Sequence, residues 1–293
     1  MKISSKYVGT KFKQHRIVVS WRDTMNYAAA VDDNNARYFD DQQQQGIIAP
    51  PMFSVAATWQ IVENLGKYIE TEGFPLEILS TAVHSSEFLE FHAPIKPADE
   101  LTIHGVIAAI LPHRAGTYIV FKFAALDQHG QPVFTEYFAG IMRGVECVDG
   151  GAGAEALPAI PKAPKASSSN GWEQLISIDA LRAHLYDGCA DIHFPIHTSQ
   201  RFARKMGLPG ILLQGTATLA FAARELVNRN ANGDPGRLCA LGCRFSGMVF
   251  PGTDIRVQLL NCVKNGPHSD LFFRVVGDKG QLVIKDGYAK VLK

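Results

Sequence analysis

Between Ala190 and Ser199 the chain reads ADIHFPIHTS, which sets one carboxylate, Asp191, and two imidazoles, His193 and His197, around Pro195. Imidazole titrates near neutrality, so a histidine beside a carboxylate suits proton transfer, a contribution of roughly 10²–10⁴-fold to a reaction rate. A metal site is the competing chemistry, since His193 and His197 are four residues apart. Pro195 interrupts the helix that would bring them to one face, so no metal is expected and His193 reads as structural or exposed. Asp191 keeps two readings, a partner for His197 or a turn-capping carboxylate. Thr198 or Ser199 is a sufficient N-cap for a short helix closing at Gly207. Next comes Gly215, opening GTATLAFAAREL, a run apolar nearly all round and therefore a buried helix. The amino end of such a helix offers free N–H groups and a favourable dipole to a developing oxyanion, and a glycine there lets a ligand approach the backbone.

Those residues need a frame, and the frame is a duplication. The composition breaks at 149–171, DGGAGAEALPAIPKAPKASSSNG, a Gly, Ala, Pro and Ser stretch without apolar periodicity. On either side the same order recurs. KPADELTIHGVIAAI from Lys96 matches FPGTDIRVQLLNCV from Phe250, and the turn at Gly130-Gln131 matches Gly280-Gln281. Each half ends in three alternating strand-like runs joined by polar turns, an antiparallel meander. Upstream, the apolar stretch 51–62 corresponds to 215–226. A buried helix wrapped by a bent antiparallel sheet, repeated twice, is an α+β tandem, or double, hot-dog fold. Its domains are 1–148, a linker at 149–171, and 172–293. Edge-to-edge pairing of the two sheets would remove exposed edges.

Composition excludes several classes. Lys and Arg total 29 against 28 Asp and Glu, a net charge of +1 with no cationic cluster, so no nucleic-acid partner is expected. No window reaches the roughly 18 apolar residues of a membrane span, and the amino terminus lacks an apolar export segment. Five cysteines, an odd number, fit reduced thiols in a cytoplasmic protein, and Cys239 and Cys243 lie in a strand-like LCALGCRF without a second pair to complete a zinc site.

At Pro195-Ile196-His197-Thr198-Ser199, through FARKMGLPG, to Ile211-Leu212-Leu213-Gln214-Gly215-Thr216, the chain resembles the MaoC-like hydratases and dehydratases, which include the (R)-specific enoyl-CoA hydratases. The resemblance implies reversible hydration of 2-enoyl thioesters in fatty acid metabolism, with acyl-CoA or acyl-carrier thioester as partner, no cofactor, and a homodimer. His197 becomes the water-activating imidazole, Asp191 its carboxylate, and Gly215 the oxyanion donor. The family pattern sets its Asp five residues before the His, where this chain has Ile192, and its Asn where this chain has Phe194. In the first half, VDDNNARYFD offers Asp33 and Asn35 in the right places with Tyr38 where the His would stand. That half is then a degenerate site accommodating the acyl chain, with Tyr38, Met52 and Phe53 lining it. Arg201, with Arg204 and Lys205, faces either CoA phosphates or solvent. A non-catalytic acyl-thioester binding subunit and a hot-dog thioesterase or isomerase are the alternatives.

Overall fold

A computed structural model describes residues 1–164 and 171–293. The first half contains β1 (Lys2–Ile3), β2 (His15–Val18), β3 (Ala82–Phe91), β4 (Glu100–His113), β5 (Gly116–Leu126), β6 (Pro132–Arg143) and β7 (Glu146–Cys147). Its helices are α1 (Trp21–Ala30), α2 (Ala36–Phe39), α3 (Phe53–Glu63) and α4 (Leu65–Tyr68). The second half contains β8 (Trp172–Ile178), β9 (Leu238–Phe245), β10 (Thr253–Asn265), β11 (His268–Gly277) and β12 (Leu282–Leu292), with α5 (Arg182–Ala190), α6 (Gln200–Lys205) and α7 (Gly215–Asn230).

Ten strands form one sheet in the order β2-β4-β5-β6-β3-β9-β12-β11-β10-β8, so five strands of one half run into five of the other in mirrored sequence. The seam is β3 against β9, antiparallel, with Phe88 opposite Gly242 and Leu89 opposite Leu241. The joined sheets cover the two inner edges, as the pattern required, and leave β2 and β8 as the outer ones. Alternation decides which side of each strand is buried. On β5, Ile119, Phe121 and Phe123 face the main core with α3 and α7, while Val120 belongs to a separate cluster with Ala108, Ala109 and Ala139.

α7 starts at Gly215, as the apolar run predicts, α3 starts at Phe53, two residues into its run, and both are buried over most of their lengths. α1 and α5 pack against each other, and at their contact the hydroxyls of Tyr27 and Tyr186 lie 2.8 Å apart. Arg182 ties the halves further: its guanidinium donates to Ala30 O at 2.9 Å and to Asp32 at 2.6 Å. The segment after Asp149 does more than connect. Ala152 bridges Ile110, Leu157 packs on the Ala108–Ala139 cluster, and Ile160 packs on Phe88, Ala240, Phe272 and Tyr288. It therefore crosses the sheet face opposite the helices, from the first half to the second. The rest of the expected linker, 165–170, lies outside the described residues.

Candidate functional site

Tyr186 lies 159 residues after Tyr27, and the same step carries Asp32 to Asp191, Asp33 to Ile192 and Tyr38 to His197. The backbone supports this pairing, because Asp32, just past the Val31 cap of α1, and Asp191, the cap of α5, share a left-handed conformation, at φ 51° and 55°. Asp tolerates that conformation at a helix C-terminus better than most residues. Asp191 is thus a helix-terminating residue, and Ile192, 2% exposed, fills the place where the family pattern has its carboxylate.

The structure does not bring Asp191 and His197 together. Asp191, with its side chain 65% exposed, meets His193 Nε2 at 2.7 Å and accepts from Gln60 Nε2 at 3.5 Å. The other nitrogen of the same ring, His193 Nδ1, is 2.9 Å from Asp187, whose side chain is 18% exposed. Two carboxylates around one imidazole favour its charged form, so the hydrogen bond to Asp187, with that to Asp191, pushes the His193 pKa up. An exposed pair such as His193 with Asp191 is worth about 0.2–1 kcal/mol, too little to hold the loop, whereas the buried Ile192 anchors it.

His197 is mostly buried. Its Nδ1 lies 2.9 Å from the Leu212 carbonyl. A carbonyl only accepts, so Nδ1 carries the proton and Nε2 presents a lone pair. Burial lowers the His197 pKa, against the opposing pulls of the Leu212 carbonyl and the Asp187 charge, so the ring is neutral at pH 7 and Nε2 is a base. Pro195 shapes the loop that presents it: the amides of Thr198 and Ser199 fold back on the Pro195 carbonyl. Ser199 caps α6, accepting from Phe202 N at 3.2 Å, and Gly207 follows the helix at φ +80°, as the sequence predicts.

Leu212 is two residues before Gln214, the residue preceding α7. Gln214 is buried, donates to Ala183 O at 3.1 Å, and makes no side-chain cap. Among the described residues, none accepts from the amides of Gly215, Thr216 or Ala217, so the helix amino end keeps its donors for a ligand. Gly215 is closely packed there in a way the sequence did not show: a Cβ would stand 3.2 Å from the Phe245 ring. Phe245 in turn lies against His84 of β3.

The corresponding place in the first half is built differently. Asp33 is buried, accepts from Asn35 N at 3.3 Å, and desolvation raises its pKa to about 6 against the pull of Arg224. Tyr38 is fully buried, and Tyr38, Asp33, Met52 and Arg224 line one small cavity of about 10 Å³, close to one water molecule. Phe53 packs edge-on to Tyr27. The first amides of α3 are occupied: Phe53 N, Ser54 N and Val55 N donate to the carbonyls of Pro50, Pro51 and Met52. The structure therefore groups Tyr38 and Met52 with Asp33, and groups His197 with the α7 entrance. Arg201 is exposed on α6.

Sequence reasoning also missed a buried polar cluster at the seam. Glu87 and Glu136 are fully buried, and desolvation raises both pKa values well above the carboxylate range. Glu136 accepts from Thr58 Oγ1 at 2.6 Å, and His84 Nε2 approaches Glu87 at 3.1 Å while burial lowers the His84 pKa to about 3. The signal was present in HSSEFLEF, where alternation puts Glu87 on the same face as Leu89. Among the described residues, no group of three His, Cys, Asp or Glu is arranged to hold a metal ion, and no helix is long and apolar enough to cross a membrane.

Residues 6–136 match the FAS1-like dehydratase domain region, and residues 174–273 match the MaoC like domain. The chain is 25% identical over 242 residues to the peroxisomal multifunctional enzyme type 2 of Mus musculus, covering 83% of this chain and 32% of that enzyme. It therefore spans about a third of that relative's length. It is also 25% identical over 213 residues to the enoyl-CoA hydratase ChsH3 of Mycobacterium tuberculosis, covering 72% of this chain and 71% of that one. Among solved structures, a MaoC-like dehydratase from Phytophthora capsici superposes with a TM-score of 0.83 at 20% identity, over 98% of both chains. A Mycobacterium tuberculosis protein with a double hotdog fold superposes at 0.63 and 12% identity, over 97% and 96% of the two chains.

Proposed function

We propose that this chain, which is similar to the MaoC-like dehydratases, catalyses reversible hydration of 2-enoyl-CoA thioesters, as a hydro-lyase, at its C-terminal hot dog. One observation carries the reading. His197 presents an unprotonated Nε2 from a buried, carbonyl-fixed ring, and the Leu212 carbonyl that fixes it leads directly into the uncapped amino end of α7. In the forward reaction Nε2 takes a proton from water and the hydroxyl bonds to C3. The double-bond electrons move through C2 onto the thioester oxygen, which Gly215 N–H receives. The imidazolium then returns its proton to C2, so water is added and His197 is regenerated. No cofactor enters this sequence.

Residues 1–148 form the half that accommodates the acyl chain, with Tyr38, Met52 and Phe53 among its lining, and Arg201 is the cation that meets the CoA phosphates. A cytoplasmic homodimer working in fatty acid metabolism completes the reading. The relatives' hydratase and fatty acid synthase names support the metabolic part of this reading, and the homodimer and compartment rest on the sequence expectation alone. The experiment is hydration of but-2-enoyl-CoA and longer enoyl-CoAs, followed by loss of the conjugated thioester absorbance, with chiral analysis of the 3-hydroxyacyl product. An (R)-product that disappears in His197→Ala supports the assignment. A second reading, a non-catalytic acyl-thioester binding subunit, is favoured by Ile192 in the carboxylate's place. Acyl-CoA binding without turnover selects it.

A further inference from the structure

We infer that Asp187, on α5, is the carboxylate that serves His197 in this chain, a positioning residue held in place by His193. The inference rests on the hydratase reading of the C-terminal hot dog. The step of 159 residues that carries Tyr27 to Tyr186 carries Ala28 to Asp187. In the first half Ala28 and Tyr38 share one small buried cluster with Ile48, so position 28 on the helix faces the loop residue that occupies the histidine's place. By the same step of 159 residues, Asp187 occupies on α5 the position that Ala28 occupies on α1, and so corresponds to His197 as Ala28 does to Tyr38.

The two halves have exchanged these positions. Where the loop carries a carboxylate, Asp33, the helix carries an alanine. Where the loop carries Ile192, the helix carries Asp187. Asp191 cannot do the same work, because the left-handed turn at φ 55° directs it outward to His193 and to Gln60 of α3. Asp187 is the more enclosed of the two carboxylates, and His193 Nδ1 holds its Oδ2 at 2.9 Å.

Among the described residues, few groups face His197. From α5 the Asp187 charge acts on the ring, from the segment before α7 the Leu212 carbonyl accepts its Nδ1 proton, and from its own loop Phe194 places a ring at 6.3 Å. Across from α5, α3 contributes Gln60, which is uncharged and bonded to Asp191. A negative charge beside a buried imidazole stabilises the imidazolium that forms when water is deprotonated, which is the service a loop carboxylate would otherwise perform.

The test has two readouts on the full chain. In the first, the His197 ring is titrated by NMR in wild type, Asp187→Asn, Asp187→Glu and Asp191→Asn. Asp187→Asn should lower the His197 pKa further, and Asp187→Glu should restore it. In the second, the pH profile of kcat/KM with but-2-enoyl-CoA should move its acid limb in the same direction in Asp187→Asn. kcat should fall on the order of tenfold, less than the roughly 10²–10⁴-fold loss of the proton-transfer group itself. A His197 titration unmoved by Asp187→Asn, or moved as far by Asp191→Asn, overturns the inference. The NMR readout requires no turnover, so an inactive wild type with the Asp187 shift intact would remove the hydratase reading and leave the electrostatic coupling standing.

Discussion

The entrances to the two central helices differ more than anything else between the halves. At α3 the chain arrives through Pro50-Pro51-Met52 and folds its carbonyls back onto the first amides, so the helix end is saturated; beside it lie a void of about 10 Å³ at Asp33 and Tyr38 and another of about 50 Å³ lined by Pro50, Pro51, His92 and Pro235. At α7 the chain arrives through Leu212-Leu213-Gln214, spends one carbonyl on His197, and leaves the amides of Gly215, Thr216 and Ala217 without acceptors among the described residues. One ancestral plan has produced a closed end with a carboxylate and a tyrosine, and an open end with a histidine. On the proposed reading the catalytic half is the one with donors left free beside a base, and Asp33 in the expected register is not sufficient by itself.

This contrast can be broken experimentally. Among substitutions around the base itself, the largest effect belongs to Gly215→Ala. The added methyl meets the Phe245 ring at 3.2 Å, an overpacking that costs about 1–3 kcal/mol and blocks thioester approach, so both melting temperature and turnover should drop. The double variant Gly215→Ala with Phe245→Leu, which keeps an apolar side chain against His84 while freeing space, should regain part of the melting temperature without regaining turnover. A double variant that regains both would show that Gly215 serves packing alone.

Next in size is the buried seam. Glu87 and Glu136 have folded-state pKa values raised by desolvation, so the folded protein holds protons that the unfolded chain releases. Stability then declines as pH rises from the ordinary carboxylate pKa towards the raised one. Glu87→Gln, which is neutral at every pH, should melt higher than wild type at pH 8 and close to it at pH 4. The opposite order in thermal denaturation would mean that the carboxylate is ionised and compensated.

A smaller effect is expected from Tyr38→His. It recreates the Asp and His spacing in the first half, yet the amides of α3 stay occupied, so turnover should remain within about twofold of wild type. A marked gain would contradict the importance given to the open helix end. The least effect belongs to Arg201→Ala. Its exposed side chain should raise KM for CoA substrates a few-fold at low salt and leave kcat unchanged, with the difference fading as salt is added.

Much of this was legible in residue order. The alternation of β4, β5 and β6 and its repetition in β10, β11 and β12 gave the meanders. The all-round apolarity of two stretches gave α3 and α7. Ser199 and Gly207 bounded α6. The route of the 149–164 segment was hidden because Leu157 and Ile160 are isolated apolar residues without periodicity, and only the sheet face beneath them explains their burial. Asp191 was misleading because spacing along a chain says nothing about a left-handed residue, and one such residue at a helix end turns a side chain outward. Asp187 was missed because its role depends on a helix facing a loop, a relation that appears only when the two halves are laid over each other. The buried Glu87 was readable from strand alternation, but a glutamate in a core strand contradicts ordinary preference.

The most direct test is a side-by-side comparison of but-2-enoyl-CoA hydration by wild type, His197→Ala and Asp33→Asn, each first shown to be folded by its melting transition. The account predicts a loss of roughly 10²–10⁴-fold in kcat for His197→Ala and activity near wild type for Asp33→Asn. Retained turnover in His197→Ala together with its loss in Asp33→Asn would place the chemistry in the first half and contradict the account.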